Sequence, residues 1–563
     1  MKADLTRKSF DPLKHFAQVL MQQGRVQLDA DWNEQAGILL HLLRRLVADE
    51  IGSAFPARFG GGFEILPLTT STHSTGLNLD FGIQPGSFYV DGILCELEAT
   101  PVPILSPAGT NPITVAEWTV DGSSFAVNQY LRLWPDPQNT GVIPSFSSPL
   151  PVSQITAVGY PSKTLTLDSL NNIASPQWAQ RIITYTTQPD LPNPPLLVAN
   201  TNYLIYLDVW ERLITYIEDD SIREVALNGP DTAARARVVW QMKALPQQQP
   251  SCIPQPQLAG MLQPWTRGLL RAQTQPAQAS TDPCTISPDS QYTGAENQLY
   301  RVEIHTGNLD PSGTVTDATP SFKWSRDNGA VVFPIVGLQT SGIASTTVTL
   351  GNLGRDDRFG LAVGDYVEVQ DDNSVLNNIP GNLLQVQSID RTNLIVVLTG
   401  ATTSGVGGDQ ALHPLLRRWD CKSGDPAQGG EQVLPDGALP ITGGIWLDLE
   451  DGIQVWFEVL PRFTYRTADY WLIPARVATG DIIWPSDTWT DSQGNTQIGP
   501  AAKPPDGVTH HYVSLALVTP EPTTGIIGTG DVTPCLGVAL GGSATAPRQA
   551  SADGSTRRSG HRP

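Results

Sequence analysis

Apolar positions in the first 52 residues recur at helical spacing, whereas from about residue 58 onward they recur mostly at every second position. Asp11-Pro12 has the form of a helix start, with Asp as cap and Pro in the first turn. Leu13, Phe16 and Leu20 then share one face, and Gly24 is a natural stop. Val26 and Leu28 alternate over a short extended crossing. A second helix is predicted from Asp31, with Glu34 three residues on as a capping-box variant. Ala36, Leu39, Leu40, Leu43, Leu46, Val47 and Ile51 follow the spacing of one face, and Gly52 ends the run. Arg44 and Arg45 lie toward its C-terminus, where the helix dipole favours cations. Such a rod is about 30 Å long. Its leucine seam either packs within the chain or pairs with copies of itself, and two or three heptads are too few to define a coiled coil.

Strand signals fill residues 58–245. Residues 83–96 read as a hairpin: Phe88 and Val90 alternate, Asp91-Gly92 turns, and Ile93 and Cys95 return. Residues 203–218 read as a second pair of strands, with scattered strands such as 164–167 between. Residues 246–290, rich in Gln and Pro, read as a linker. In 291–540, strands are predicted at 299–304, 321–325 and 330–335, the last two joined around Asp327-Asn328-Gly329. Residues 363–371 and 383–389 suggest a small barrel or sandwich, and 444–459 and 470–473 continue the pattern. The segment 541–563 lacks apolar residues and is expected to be disordered. The expectation is a mainly β, multi-domain chain of sandwiches or barrels with an N-terminal helical segment (1–57).

Composition strengthens the β reading. Gly and Pro number 51 and 47, and charged residues are 16% against roughly 25% in ordinary soluble domains. A net charge of −20 argues against nucleic acid as a partner, because phosphate binding needs a basic face. The five cysteines contain no Cys-x-x-Cys pair, so reduced, buried thiols are expected, with a Cys252–Cys284 bridge open in an oxidising setting. The first residues have no apolar run of secretory type, and no stretch reaches the ~18 apolar residues that span a bilayer. A cytoplasmic product is expected, with membrane contact left open.

Candidate chemistry is thin. Asp208 and Glu211 flank Trp210, two carboxylates near an aromatic residue as in a glycosidase cleft, but on a strand they face opposite ways. His510 and His511 diverge for the same reason, and Asp371-Asp372-Asn373 lacks calcium-loop spacing. Phosphate-loop, dinucleotide and nucleophile-elbow motifs are absent. No cofactor, no metal and no enzyme activity are expected. Among the 14 tryptophans, Trp210, Trp324 and Trp471, with Arg326, are the candidates for a ligand surface, glycan included, although cores and interfaces use the same residues.

Phe10-Asp11-Pro12, Val19, Gly24-Arg25-Val26-Gln27 and Asn33-Glu34 resemble the N-terminal segment of phage baseplate and tail-fibre-attachment proteins. The whole chain looks like an uncharacterised family encoded beside phage-tail-like contractile injection systems. The blocks that carry this include MKADLTRKSFDPLKHFAQVLMQQGRVQLDADWNEQ, LDVWERLITYIED, SFKWSRDNGAVVFPI and YRTADYWLIPAR, spread over about residues 1–476. The resemblance implies a structural, baseplate-associated subunit without catalytic residues, assembled in the cytoplasm. Its implied partners are baseplate, spike or sheath subunits and copies of itself, with a trimer favoured. The residues expected to carry assembly are Phe10, Phe16, Leu20, Arg25, Trp32, Leu39, Leu43 and Leu46. A receptor- or glycan-binding tail module is the alternative, and a polysaccharide or cell-wall hydrolase the third.

Overall fold

The hairpin forms as its sequence dictates. Strands Gly86–Val90 and Ile93–Leu97 are closed by Asp91 and Gly92, both at positive φ, the conformation a two-residue turn of this twist requires. The computed structural model describes residues 1–535 apart from 59, 71–75, 108, 137, 139, 141, 172, 174, 228–230, 265–266, 276–290, 311–313, 357, 425–429, 459–463 and 491–494. The segment expected to be a disordered tail lies outside the described residues. The architecture is mainly β, with one long helix, α1 (Asp29–Glu50), near the N-terminus.

Residues 203–218 are not a hairpin. They belong to one 13-residue strand, β1 (Asn202–Ile214), paired along its length with β2 (Arg235–Gln247). Residues 203–210 are buried without interruption, because β1 has apolar cover on both faces and a β2 neighbour on one edge. Its other edge pairs with His511–Val518, from the far end of the chain. The core beneath this sheet joins Phe63, Phe88 and Val90 to Val513, Leu515 and Ile527. Residues 102–182 supply a separate six-stranded sheet with its own core, including Ile113, Leu131 and Leu165.

The described part of the segment expected to be a linker contributes packed structure, and its residues 276–290 lie outside the described residues. Helix Gln255–Leu262 buries Leu258 and Leu262 against Leu204, Tyr206 and Tyr512, and strand Leu270–Thr274 pairs with Ile453–Phe457. Its few apolar residues are spaced to reach existing cores, which a composition average conceals. Cys252 forms a disulfide with Cys535, not with Cys284, which lies outside the described residues. Cys95 and Cys421 are free and buried.

In the second half, β3 (Gln298–Thr306) lies between β4 (Ser321–Ser325) and a later strand of a five-stranded sheet. Asn328 and Gly329 make the expected positive-φ turn, but the strands on either side do not pair with each other. The turn instead delivers the chain into a closed barrel. Its strands are β5 (Val332–Ser341), β6 (Ser345–Leu350), β7 (Tyr366–Gln370), β8 (Leu383–Asp390), β9 (Ile395–Thr399) and β10 (Leu415–Trp419), ordered β5-β6-β9-β8-β7-β10. The barrel expected from 363–371 and 383–389 is therefore present. Phe333, Val348, Val367 and Leu416 fill it. β11 (Tyr470–Arg476) completes the middle of the five-stranded sheet, on the other side of β3.

Candidate functional site

The N-terminal arm departs most from its expected form. Asp11 caps as anticipated, accepting from Leu13 N at 2.9 Å, but only Pro12–Lys14 form a 3-10 turn. His15 then turns left-handed at φ 54°, and residues 15–28 continue without regular structure. A helical spacing of Leu13, Phe16 and Leu20 produced no helix because no surface receives that face; all three are exposed. The second helix starts two residues before the predicted Asp31. Its capping box does not form; Asp29 instead accepts from Thr6 N and Thr6 Oγ1, at 3.0 and 2.5 Å.

Helix α1 is amphipathic with its faces reversed. A surface helix ordinarily turns its apolar stripe to the core. Here Ala30 and Ile38 are the only buried residues of α1, and the face toward the body also carries Glu34, Gly37 and Arg44. Gly37 is held against the Phe10 ring, where a Cβ would lie 3.0 Å from Phe10 Cγ. The Asp91-Gly92 turn abuts the backbone at Arg44; a Cβ on Gly92 would sit 2.2 Å from the Arg44 carbonyl oxygen. The Arg44 guanidinium reaches Glu211 on β1 at 2.8 Å. On the opposite face Trp32 is 69% exposed, and Leu39, Leu43 and Leu46 are 58–59% exposed. Leu40 and Leu42 flank them and are also exposed. Of the predicted assembly residues, Phe16, Leu20, Arg25, Trp32, Leu39, Leu43 and Leu46 are therefore outward, and Phe10 is half-buried against its own helix.

The arm is fixed at its far end by a buried ionic cluster that sequence reading missed. Lys2 Nζ lies 3.0 Å from Glu303, which also accepts from Arg301 Nε at 2.6 Å. Lys323 Nζ donates to Glu368 at 2.6 Å, and Glu368 further accepts from Trp419 Nε1 and the Gly381 amide. Asn328, at the turn into the barrel, donates to the carbonyl oxygens of Met1 and Ala3. Burial alone would raise both glutamates. The surrounding cations overcome it, holding Glu303 well below the usual range and Glu368 down to about 2. Burial lowers Lys2 to about 7, with Glu303 opposing and Arg301, Arg417 and Lys323 reinforcing the shift. The available signal was the alternation Arg301, Glu303, His305 against Tyr300, Val302, Ile304: charges on one face of a strand whose other face is apolar, all buried.

The residues anticipated for a ligand surface lie elsewhere. Trp210, Trp324 and Trp471 are 7%, 1% and 0% exposed and packed in cores, with the Trp210 ring stacked on His510. Arg326 pairs with Glu450 at 2.8 Å and Asp420 at 3.4 Å. Asp208 and Glu211 serve separate ion pairs: Asp208 with His510 and Lys243, Glu211 with Arg44. His511 pairs with Asp91 instead, and Asp371 caps the short helix Asp372–Leu376. Among the described residues no cluster of His, Cys, Asp or Glu is arranged to hold a metal ion, and no helix is long and apolar enough to cross a membrane.

A family model described as a family of unknown function, DUF6519, matches residues 1–136, 196–253 and 252–523. The chain belongs to DUF6519. The match takes in the arm, α1, both long strands, the ionic cluster and the strand at 511–518, and leaves out 137–195, much of the separate six-stranded sheet. No curated protein and no solved structure matches the chain.

Proposed function

We propose that the protein is a structural subunit of a phage-tail-like contractile injection particle, joined to baseplate-associated neighbours through its N-terminal arm and α1. The observation that carries the reading is the reversed helix: a 22-residue rod braced against the body by polar contacts, with its leucine seam in solvent. Contiguous apolar surface of this kind on a folded protein marks an interaction site. The resemblance of the 1–35 and 207–219 blocks to proteins encoded with such particles supplies the kind of assembly. Cytoplasmic assembly, as part of that particle, goes with the same reading.

The test is incorporation. Particles purified from cells carrying Leu39→Glu and Leu43→Glu are expected to lack the subunit, while the variant accumulates as soluble, folded protein. Full occupancy by the variant would overturn the proposal. The buried positions of Trp210, Trp324 and Trp471 give the glycan-binding alternative no support from those residues.

A further inference from the structure

The outward face of α1 has a spacing that identifies what covers it. Trp32, Ala36, Leu39, Leu43 and Leu46 follow one another at intervals of four, three, four and three residues. That is the alternation by which one helix seats its side chains between those of an identical helix. Leu40 and Leu42 widen the arc to roughly 160° at about 100° per residue, more than the narrow stripe of a two-stranded seam, interrupted at Gln35, which accepts from Val19 N at 2.8 Å. Between Trp32 and Leu46 no charged residue falls within that arc; Glu34, Arg44 and Arg45 project from the other side of the helix. Copies of a chain carrying a net charge of −20 repel each other over most of their surface, and this face carries no charge from Trp32 to Leu46, with Asp29 and Glu50 at its two ends.

The area is sufficient. At roughly 100 Å² for each half-exposed leucine and about 170 Å² for Trp32, the face offers on the order of 700 Å², near the ~800 Å² per partner of a standard stable interface. On the opposite side, buried Ala30 and Ile38, Gly37 against the Phe10 ring and Arg44 with Glu211 keep α1 on its own body while the outer face is in use.

We infer that α1 packs against α1 of other copies of this chain, in a bundle of more than two helices at the centre of a homo-oligomer. The inference rests on the assembly reading above and names the partner at that surface.

The experiment is the solution mass of the full-length protein by light scattering at micromolar concentration. It is read for the wild type and for a Leu39→Ser, Leu43→Ser, Leu46→Ser variant. The wild type is expected at an integer multiple, three or more, of the chain mass. The variant is expected at the monomer mass with unchanged circular dichroism. A monomeric or dimeric wild type overturns the inference, as does a variant that keeps the wild-type mass. If the wild type is monomeric yet only the variant fails to enter particles, a different subunit covers α1 and the assembly proposal stands. If both enter particles equally, the assembly proposal falls too.

Discussion

In the six-stranded barrel Phe333, Val348, Val367, Val396 and Leu416 point inward and are fully buried; on α1, Leu39, Leu43 and Leu46 point outward and are more than half exposed. Charge is distributed in the reverse sense. The body places Glu303, Lys323 and Glu368 in its interior, whereas the arm turns polar groups such as Asp29 and Arg44 toward its own chain. Apolar burial completes the barrel from within one chain, so its stability is a property of that chain. The arm leaves most of its apolar surface in solvent and meets the body through Ala30, Ile38 and polar contacts, of which the exposed ones fix orientation at little net stabilisation. Bracing contacts and exposed leucines thus lie on different sides of one helix.

That contrast is open to measurement, and the largest effect belongs to the body. Trp471→Ala removes a fully buried ring and its Nε1 bond to the Lys503 carbonyl, and is expected to cost about 3–5 kcal/mol in denaturant unfolding. Leu13→Ala, in the exposed arm, should stay within about 0.5 kcal/mol. Comparable costs for the two would erase the distinction between body and arm.

Next comes the buried ionic layer. Glu368→Ala strands the Lys323 ammonium and the Trp419 indole, and a loss of roughly 3 kcal/mol is expected, with Glu368→Gln milder because the indole keeps an acceptor. A neutral outcome for Glu368→Ala would mean that the cluster admits water and does not fix the arm.

A smaller effect concerns pH. Lys2 has its docked value lowered to about 7 from 10.5, so between those limits the free arm binds a proton that the docked arm does not. Docking therefore strengthens as pH rises through that window and weakens on acidification toward pH 7. Glu303 and Glu368, both depressed, are ionised in free and docked forms throughout it and leave the sign unchanged. Hydrogen exchange of residues 3–9, corrected for intrinsic rates, should show more protection at pH 9 than at pH 6.5. Lys2→Met should reduce the difference to the share left by the Met1 amine, which burial also lowers, and protection that is greater at the lower pH would contradict the assignment.

The smallest expected effect is at the brace. Arg44→Ala should cost no more than about 1 kcal/mol of global stability, since both partners of the Glu211 pair are a quarter exposed. It should raise exchange in α1 selectively; uniform destabilisation would instead place the helix within the cooperative unit of the body.

Local signals were legible where the deciding interactions are local. The Asp91-Gly92 hairpin and the barrel strands could be read because turn chemistry and alternation act within ten residues. The Asn328-Gly329 turn was read correctly, but which strands it joins depends on partners about 15 to 120 residues away, so the inferred hairpin was not there. β1 was split in two because burial on both faces removes the alternation that marks a strand. The seam of α1 was visible, yet its outward direction was not: periodicity gives a face and not what the face meets. The Lys2–Glu303 pair bridges some 300 residues between segments that share no motif, and nothing short of the fold brings it together.

The pairing of β1 with His511–Val518 sets a schedule for the chain's synthesis. Asp208 emerges 302 residues before its partner His510. At about 5–20 residues per second, one edge of β1 waits roughly 15–60 s for the strand that closes it. Throughout that interval Tyr203, Ile205 and Leu207 present an unpaired, apolar edge of the kind that aggregates or recruits chaperones. A polypeptide released early, even after the whole barrel is made, lacks the strand that seals its first core. Completion of that core is thereby tied to the synthesis of residues 511–518: a shorter chain cannot close this edge of β1.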